Sequence, residues 1–424
     1  MTAKPLTCRF RPDDEAVALE EYRADGGYQG LAAALEMNPE DVQKRVRNAK
    51  LRGRGGAGFP TGLKWSFVPK TTKGDKYFIV NADEMEPGTF KDRLLMERDP
   101  HQLIEGAAIG AYAIGAHTAY IFLRSEYRRA AGRLIRAIDE ARRDGILGRR
   151  VLGRNVSLEI HLHLSAGRYI CGEETALLNA LEGQRAIPRA KPPYPQNAGL
   201  FGCPTVVNNV ETVCNLPHIL RHGPDWYLSL SRCEDGGTKL YGISGPVNRP
   251  GLWELPLGTP AREIIETHAG DMLPGRELRA FQPGGASTDF LLPDHLDTPL
   301  DFDSVMEAGS RLGTGCLIVL DHQTCPVKMV LNLETFFARE SCGWCTPCRD
   351  GLPYTETLLR DLIDRRGRPE DLALLEEMIE WMAPGHTFCA LAPGAMAPLE
   401  SALKYFREDF ERYLENPFFH PGSG

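Results

Sequence analysis

The residues with the clearest chemical potential are Glu340-Ser-Cys342-Gly-Trp-Cys345-Thr-Pro-Cys348-Arg, three cysteines each separated by two residues, with a fourth, Cys389, in Thr387-Phe-Cys389-Ala. Four thiolates can hold a [4Fe–4S] cluster, and a cluster moves electrons one at a time. Structural zinc is the plainer reading. Zinc modules usually pair two separate C-x2-C knuckles, however, whereas tandem cysteines with a remote fourth fit iron–sulfur ligation better. The other cysteines, such as Cys8, Cys214, Cys233, Cys316 and Cys325, lack metal spacing and read as ordinary thiols.

A second group lies in Gly53-Arg54-Gly55-Gly56-Ala57-Gly58-Phe59-Pro-Thr-Gly62, where five glycines in ten residues rule out a regular element. Gly53-x-Gly55-x-x-Gly58 matches the dinucleotide fingerprint literally, but a helix is expected before it where that fingerprint follows a strand. Without Cβ atoms, backbone N–H groups can still approach a phosphate or a flat ring closely. Arg54, Lys64, Phe59, Trp65 and Phe67 nearby favour a nucleotide or flavin cradle over a mere turn. Asn81, Asp83, Glu84 and Glu86 follow an apolar run, where α/β proteins place ligand-binding groups, and such groups suit sugar or ribityl hydroxyls. Each of these acids taken singly could equally be a solvated loop residue. Glu173 and Glu174 stand ahead of an expected helix, where one of them could simply complement the helix dipole. Asn208 and Asn209, between valines, suit hydrogen bonds to a heterocycle or a turn.

These groups need elements to position them. Asn38-Pro-Glu-Asp predicts a helix through Val42 and Val46 toward Leu51. A strand at 77–80, a helix from about 100, a strand at 119–123, an Arg-rich helix at 127–143 and a strand at 156–164 give an α/β alternation, hence a mostly parallel sheet with binding loops at strand ends. The section 238–322 reads as short strands (239–245, 251–255, 279–282) around one helix at 260–268. From 327 onward apolar residues recur at helical spacing, which places the cysteines in a helical bundle. The expected division is an N-terminal extension and helix (1–50), an α/β cofactor-binding domain (51–225), a small β-rich domain (238–322) and the cysteine-bearing bundle (327–424).

Composition sets the class. The chain has 424 residues, 42% hydrophobic and 25% charged, which predicts an ordinary soluble globular protein of several modules. A net charge of −8 with no dominant basic block argues against a nucleic-acid surface. Eleven cysteines are too few for a disulfide scaffold and point to a reducing compartment. The stretch 106–123 is the nearest approach to a membrane span, which needs roughly 20 mostly apolar residues. His117 and Thr118 interrupt it, so a helix running into a strand is expected, without membrane insertion.

Taken together, the glycine loop, Asn81-Ala-Asp-Glu-Met-Glu-Pro-Gly, Cys171-Gly-Glu-Glu-Thr-Ala-Leu, Val207-Asn-Asn-Val-Glu-Thr and the cysteine motif resemble, in order and spacing, the flavin-bearing NADH-oxidising subunits of respiratory complex I. The resemblance covers essentially the whole chain. It implies FMN held by Gly53, Arg54, Gly55, Gly56, Ala57, Gly58, Lys64, Asn81, Asp83, Glu84, Tyr169, Gly172, Glu173, Asn208, Asn209 and Thr212. NADH would stack on the flavin with help from Phe59, Phe67, Glu86, Glu174, Lys191 and Tyr194, with Glu86 and Glu174 in positioning and electrostatic roles at the reacting centre, and a [4Fe–4S] cluster would sit on Cys342, Cys345, Cys348 and Cys389. Tyr194 stands where the family often has Phe, and Cys203 where many members have Lys.

The implied architecture is a Rossmann-like flavin domain, a β-grasp (ubiquitin-like) domain of the soluble-ligand-binding type and a C-terminal helical bundle. The implied partners are a small [2Fe–2S] E-subunit and a large iron–sulfur G-subunit, in the peripheral arm of a membrane-bound complex on the cytoplasmic, inner face of the plasma membrane. NADH gives up an electron pair, iron–sulfur centres accept single electrons, and a flavin can mediate between them. No proton-transfer triad is therefore expected. The same module could instead serve as the diaphorase subunit of a NAD-dependent hydrogenase or formate dehydrogenase, and a zinc-bearing scaffold is the non-enzymatic alternative.

Overall fold

The computed structural model describes residues 3–72 and 74–415, so the outermost ends of the expected N-terminal extension (1–2) and bundle (416–424) lie outside the described residues. Two compact units are present. The described residues of the first fall within 1–85, 90–241 and 252–259, and those of the second within 86–89, 242–251 and 260–424.

The first unit is built on four parallel strands, β1 (Tyr77–Ala82), β2 (Thr118–Leu123), β3 (Glu159–Leu164) and β4 (Thr205–Asn209), in the order β3-β2-β1-β4. The chain steps outward from β1 to β2 to β3 and then returns to the other side of β1. The order therefore reverses between β1 and β4, and in open parallel sheets ligands bind at the carboxyl ends of the strands flanking such a reversal. Register brings Val80 beside Asn208 and Asn81 beside Asn209. The two asparagines thus complete a strand rather than form the turn that was the other expectation for them.

The apolar stretch that approached a membrane span is a core helix, Pro100–Ile114, buried on nearly every side. Its glycines permit close packing, since a Cβ on Gly106 would lie 2.1 Å from the Val213 carbonyl oxygen and one on Gly110 would strike the Phe78 ring at 2.3 Å. Glu105 on this helix accepts from the N–H groups of Tyr28 and Leu31 and from the Tyr22 hydroxyl, which fastens the N-terminal helices Leu19–Ala24 and Gln29–Leu35 to the core. Among the described residues no helix is long and apolar enough to cross a membrane. The helix Pro39–Asn48 begins as anticipated after Asn38, although the Asn38 side chain makes no capping hydrogen bond.

A second sheet has the order β6-β5-β8-β7, with β5 (Thr238–Ser244), β6 (Gly251–Pro256), β7 (Leu278–Gln282) and β8 (Cys316–Asp321). Sequence reading missed β8, whose Cys-Leu-Ile-Val-Leu-Asp run is buried on both faces and so lacks the alternation of a half-exposed strand. The expected helix at 260–268 is a π-helical segment, Glu263–His268. Helices Pro326–Glu340, Thr346–Ile363, Glu370–Trp381, Leu391–Tyr405 and Arg407–Glu415 follow.

Candidate functional site

The glycine loop is pinched at its base. Arg52 and Pro60 form an antiparallel bridge, Gly53 N–H donates to the Phe59 carbonyl at 2.9 Å, and Arg52 Nε to the Gly58 carbonyl at 2.7 Å. Gly56 takes φ +125° with no atom within 4 Å of where a Cβ would stand, so its backbone faces open space. Arg54 sends its side chain inward. The guanidinium is fully buried, donates to the carbonyls of Gly236 and Thr238, and leaves only main-chain atoms for a ligand; its own N–H donates to Thr212 Oγ1 at 2.8 Å. Thr212 therefore supports the loop.

The ends of β1 and β4 carry the polar groups. Asn81 Nδ2 donates to the Gly172 carbonyl at 2.8 Å, tying β1 to the turn Tyr169–Gly172, and Asn81 Oδ1 accepts from Asp83 N–H. Glu84 accepts from the N–H groups of Asp92 and Arg93 and from the Tyr127 hydroxyl. Burial, followed by the neighbouring Asp92 carboxylate, pushes it up to about 7. Trp65 Nε1 donates to Asn208 Oδ1 at 2.8 Å. An indole N–H only donates, so both hydrogens of Asn208 Nδ2 remain for other acceptors.

The helix-end role considered for one of Glu173 and Glu174 falls to Glu173. Glu173 caps the helix Glu174–Leu181, accepting from the N–H groups of Thr175 and Ala176 at 2.9 and 2.8 Å. Glu174 is gripped by Lys64 at 2.7 Å and Lys191 at 2.9 Å. Burial alone would raise its pKa, but the two ammonium groups outweigh that and hold it at about 2. Lys64 also donates to the Val207 carbonyl, which ties this charge cluster to β4. Phe59, Phe67 and Tyr194 are about half exposed, and the two phenyl rings lie 6.4 Å apart, leaving flat apolar faces available for a planar ring.

Glu86 belongs to the second unit, where its carboxylate accepts from Ser287 N–H at 2.6 Å. The cysteines lie in that unit too. Cys345 precedes the helix Thr346–Ile363 and Cys348 is in its first turn, so the positive end of the helix dipole faces the thiols. Ser341 Oγ lies 3.2 Å from Cys348 Sγ. Burial, then the neighbouring thiols, pushes Cys348 up to about 11, so burial holds the bare thiol protonated at neutral pH. Trp344 and Phe388 meet edge to face with centroids 6.3 Å apart, which brings the Cys389 turn beside the tandem motif. Among the described residues no three His, Cys, Asp or Glu side chains converge on a point suited to a single metal ion.

Sequence reading passed over Lys91, Asp92 and Lys239. They are buried with Glu211, which accepts from Lys91 at 2.9 Å and Lys239 at 2.8 Å. Two lysines on separate segments give no local signal; only the buried Glu between them makes sense of both.

Comparison with known proteins places the chain in a family. The family described as Nuo51 FMN-binding domain matches residues 46–218, the SLBB domain 240–291, and the NADH-ubiquinone oxidoreductase-F iron-sulfur binding region 328–413. The chain is 56% identical to the F-subunit of NADH-quinone oxidoreductase from Salmonella typhimurium over 98% of its own length and 94% of the relative's, with the same figures for Escherichia coli. For Streptomyces coelicolor the identity is 47% over 97% and 91%. Among solved structures it resembles a chain of a NAD+-reducing [NiFe]-hydrogenase in the H2-reduced state, with TM-score 0.84 and 34% identity over 96% of this chain and 68% of that one.

Proposed function

Because the chain belongs to the F-subunit family of NADH-quinone oxidoreductases, we propose that the residues gathered at the ends of β1 and β4 are its FMN and NADH site, and that Cys342, Cys345, Cys348 and Cys389 hold its [4Fe–4S] cluster. The protein is an NADH dehydrogenase subunit of complex I, with FMN and a [4Fe–4S] cluster as cofactors. The site residues suit these groups. The open backbone at Gly56 and the N–H donors of Asn208 fit a flat, acceptor-rich heterocycle, and four cysteines with a helix N-terminus fit an anionic cluster. Bound FMN supplies the conversion of a hydride's electron pair into single electrons.

The residues then take distinct parts. Gly53, Gly55, Gly56, Ala57 and Gly58 offer main chain to the flavin, with Arg54 and Thr212 anchoring the loop from behind. Asn81, Asp83, Glu84, Tyr169, Gly172, Asn208 and Asn209 line the flavin side, and Glu173 shapes the loop ahead of its helix. Phe59, Phe67 and Tyr194 offer ring faces to NADH, and Lys64 and Lys191 orient Glu174. Glu86 is proposed as a further contact to NADH. The finer architecture we propose is Rossmann-like (51–225), β-grasp (238–322) and helical-bundle (327–424), after the N-terminal segment 1–50. As a complex I subunit the chain partners other subunits of that complex. We propose the E-subunit with its [2Fe–2S] centre and the large iron–sulfur G-subunit as the neighbours, in a peripheral arm on the inner face of the plasma membrane. The F-subunit relatives are 46–56% identical against 34% for the hydrogenase chain, which favours complex I over a hydrogenase diaphorase.

The observation that carries the site reading is the sheet reversal, with Asn81 and Asn209 in register beside the glycine loop. Its test is anaerobic purification with flavin and iron analysis and spectra before and after NADH. About one FMN and four irons per chain are expected, the content of one flavin and one [4Fe–4S] site, with bands that bleach on NADH addition. Zinc without flavin would refute the reading.

Two variants probe the pocket. A Cβ on Gly55 would lie 3.0 Å from Asn209 Cβ, so Gly55→Ala should displace that side chain and weaken FMN retention about tenfold, roughly 1.4 kcal/mol, as read by flavin content after gel filtration. Glu174 stays ionised above about pH 2 and would repel a ribose 2′-phosphate. Glu174→Gln should therefore raise the NADPH-to-NADH ratio of kcat/KM on the order of tenfold. Equal ratios in variant and parent would remove Glu174 from cofactor discrimination.

A further inference from the structure

Asn209 is held by neighbours whose chemistry leaves its amide no choice of orientation. One end faces Glu211 N–H at 3.0 Å and Lys91 Nζ at 3.4 Å, and both groups only donate. The other end faces Asp92 Oδ2 at 2.6 Å, and a carboxylate only accepts. The first end must therefore be Oδ1 and the second Nδ2. Oδ1 is then occupied twice, and Nδ2 retains one hydrogen.

The clamp is itself rigid. Asp92 Oδ1 accepts from Lys91 at 2.8 Å and from Glu211 N–H at 3.2 Å, and Asp92 N–H donates to Glu84 at 2.8 Å. Lys91 also pairs with Glu211, whose other partners are Lys239 and Leu240 N–H. Lys91, Asp92, Glu211 and Lys239 are all buried, so none of these groups can turn to water without abandoning a charged partner.

We propose that Asp92, with Lys91, is a positioning residue for the flavin: it locks Asn209 so that this residue can present only an N–H donor, and the site thereby selects an acceptor atom of the bound FMN at that place. The inference rests on the FMN reading above. It differs from a merely structural role in one respect. A structural pair is satisfied by any arrangement that restores its hydrogen bonds, whereas a positioning pair also requires the group left over at 209 to be a donor.

Exchanging the two side chains separates these roles. In Asp92→Asn combined with Asn209→Asp, the new amide at 92 can still accept from Lys91 and Glu211 N–H and donate across to the carboxylate at 209. That carboxylate in turn accepts from Glu211 N–H and Lys91. Every buried bond is regained, but position 209 is left with lone pairs alone for a ligand. The measurement is FMN affinity of the full-length, flavin-free chain, followed by quenching of flavin fluorescence, alongside Tm. Asp92→Asn alone leaves one amide facing unlike partners and should weaken FMN binding, and Asn209→Asp alone should lower both Tm and affinity. The exchanged pair should recover the parental Tm while binding FMN at least ~10-fold more weakly.

An exchanged pair that binds FMN as the parent does would overturn the inference, and so would one that fails to regain Tm. If Asp92→Asn alone does not fold, the exchanged pair decides. Failure of the unsubstituted chain to take up FMN would overturn the underlying FMN reading, and this inference with it, a result distinct from any difference among the variants.

Discussion

Cys348→Ala is expected to yield protein that has lost its iron and acid-labile sulfide but still bleaches its flavin on addition of NADH. In the assembled enzyme, NADH-driven quinone reduction should fall by at least about 100-fold, roughly 3 kcal/mol in the rate-limiting barrier. The reason is a division of labour within the chain. On the proposed site, hydride acceptance rests with the residues at the ends of β1 and β4, whereas onward transfer of single electrons rests with four thiolates. Cys348 is the buried member of the set, in the first helical turn and beside Ser341 Oγ, so no water or neighbouring carboxylate can readily replace its sulfur. Cys8→Ala, at an exposed thiol outside the motif, should retain full iron. Retention of a full iron and sulfide complement by Cys348→Ala would remove the cysteine set from the electron path.

Glu211→Gln is expected to cost about 3–5 kcal/mol of stability, because it strips the shared counter-charge from two buried lysines. The pH dependence provides a second route to this figure. Burial alone would raise the Glu211 pKa, but Lys239, then Lys91 and Arg54, hold it down at about 2 against an ordinary value of 4.5. A depressed carboxyl adds stability that is fully present above its unfolded value and is lost as pH falls through its folded value. The parent should therefore lose on the order of 3 kcal/mol between about pH 4.5 and 2 from this group, and Glu211→Gln should lack that loss. A drop in Tm of about 3–6 °C at neutral pH would accompany it, since the unfolding entropy of a chain of this length is about 0.9 kcal/mol/K. By contrast Glu159→Gln, in an exposed pair with Arg142, should change Tm little, as exposed pairs are worth roughly 0–1 kcal/mol. Equal Tm values for Glu211→Gln and the parent would show that the lysines find other partners.

Much of the chain's organisation was legible because it is local. The run Tyr77–Ala82 is a buried strand with polar groups at its end, and the helical spacing of apolar residues after 327 is a set of helices. The cysteine motif needs no fold to be read, since its first ligands are three residues apart. Other features were misread for physical reasons. β8 is buried on both faces and lacks an alternating pattern. Which way the Arg54 side chain turns carried no local signal: its guanidinium is drawn inward by carbonyls of residues 236 and 238, far along the chain. Glu173 and Glu174 were indistinguishable in sequence until the helix start made one a cap and two lysines claimed the other.

The sequence alone was enough to establish the types of groups available: four cysteines in cluster spacing, a glycine loop able to bring main chain to a ring, and amides and acids at strand ends. Residue identity and short-range spacing determine these, and both survive in an unfolded chain. Which groups meet was decided only by tertiary structure. The reversal of strand order sets the end of β1 beside the end of β4, so that Asn81 and Asn209 become neighbours. Burial then turns Lys91, Asp92, Glu211 and Lys239 into one charge network. Charges taken out of water must find partners at whatever distance in sequence those partners lie, and that requirement can be met only after the chain has folded.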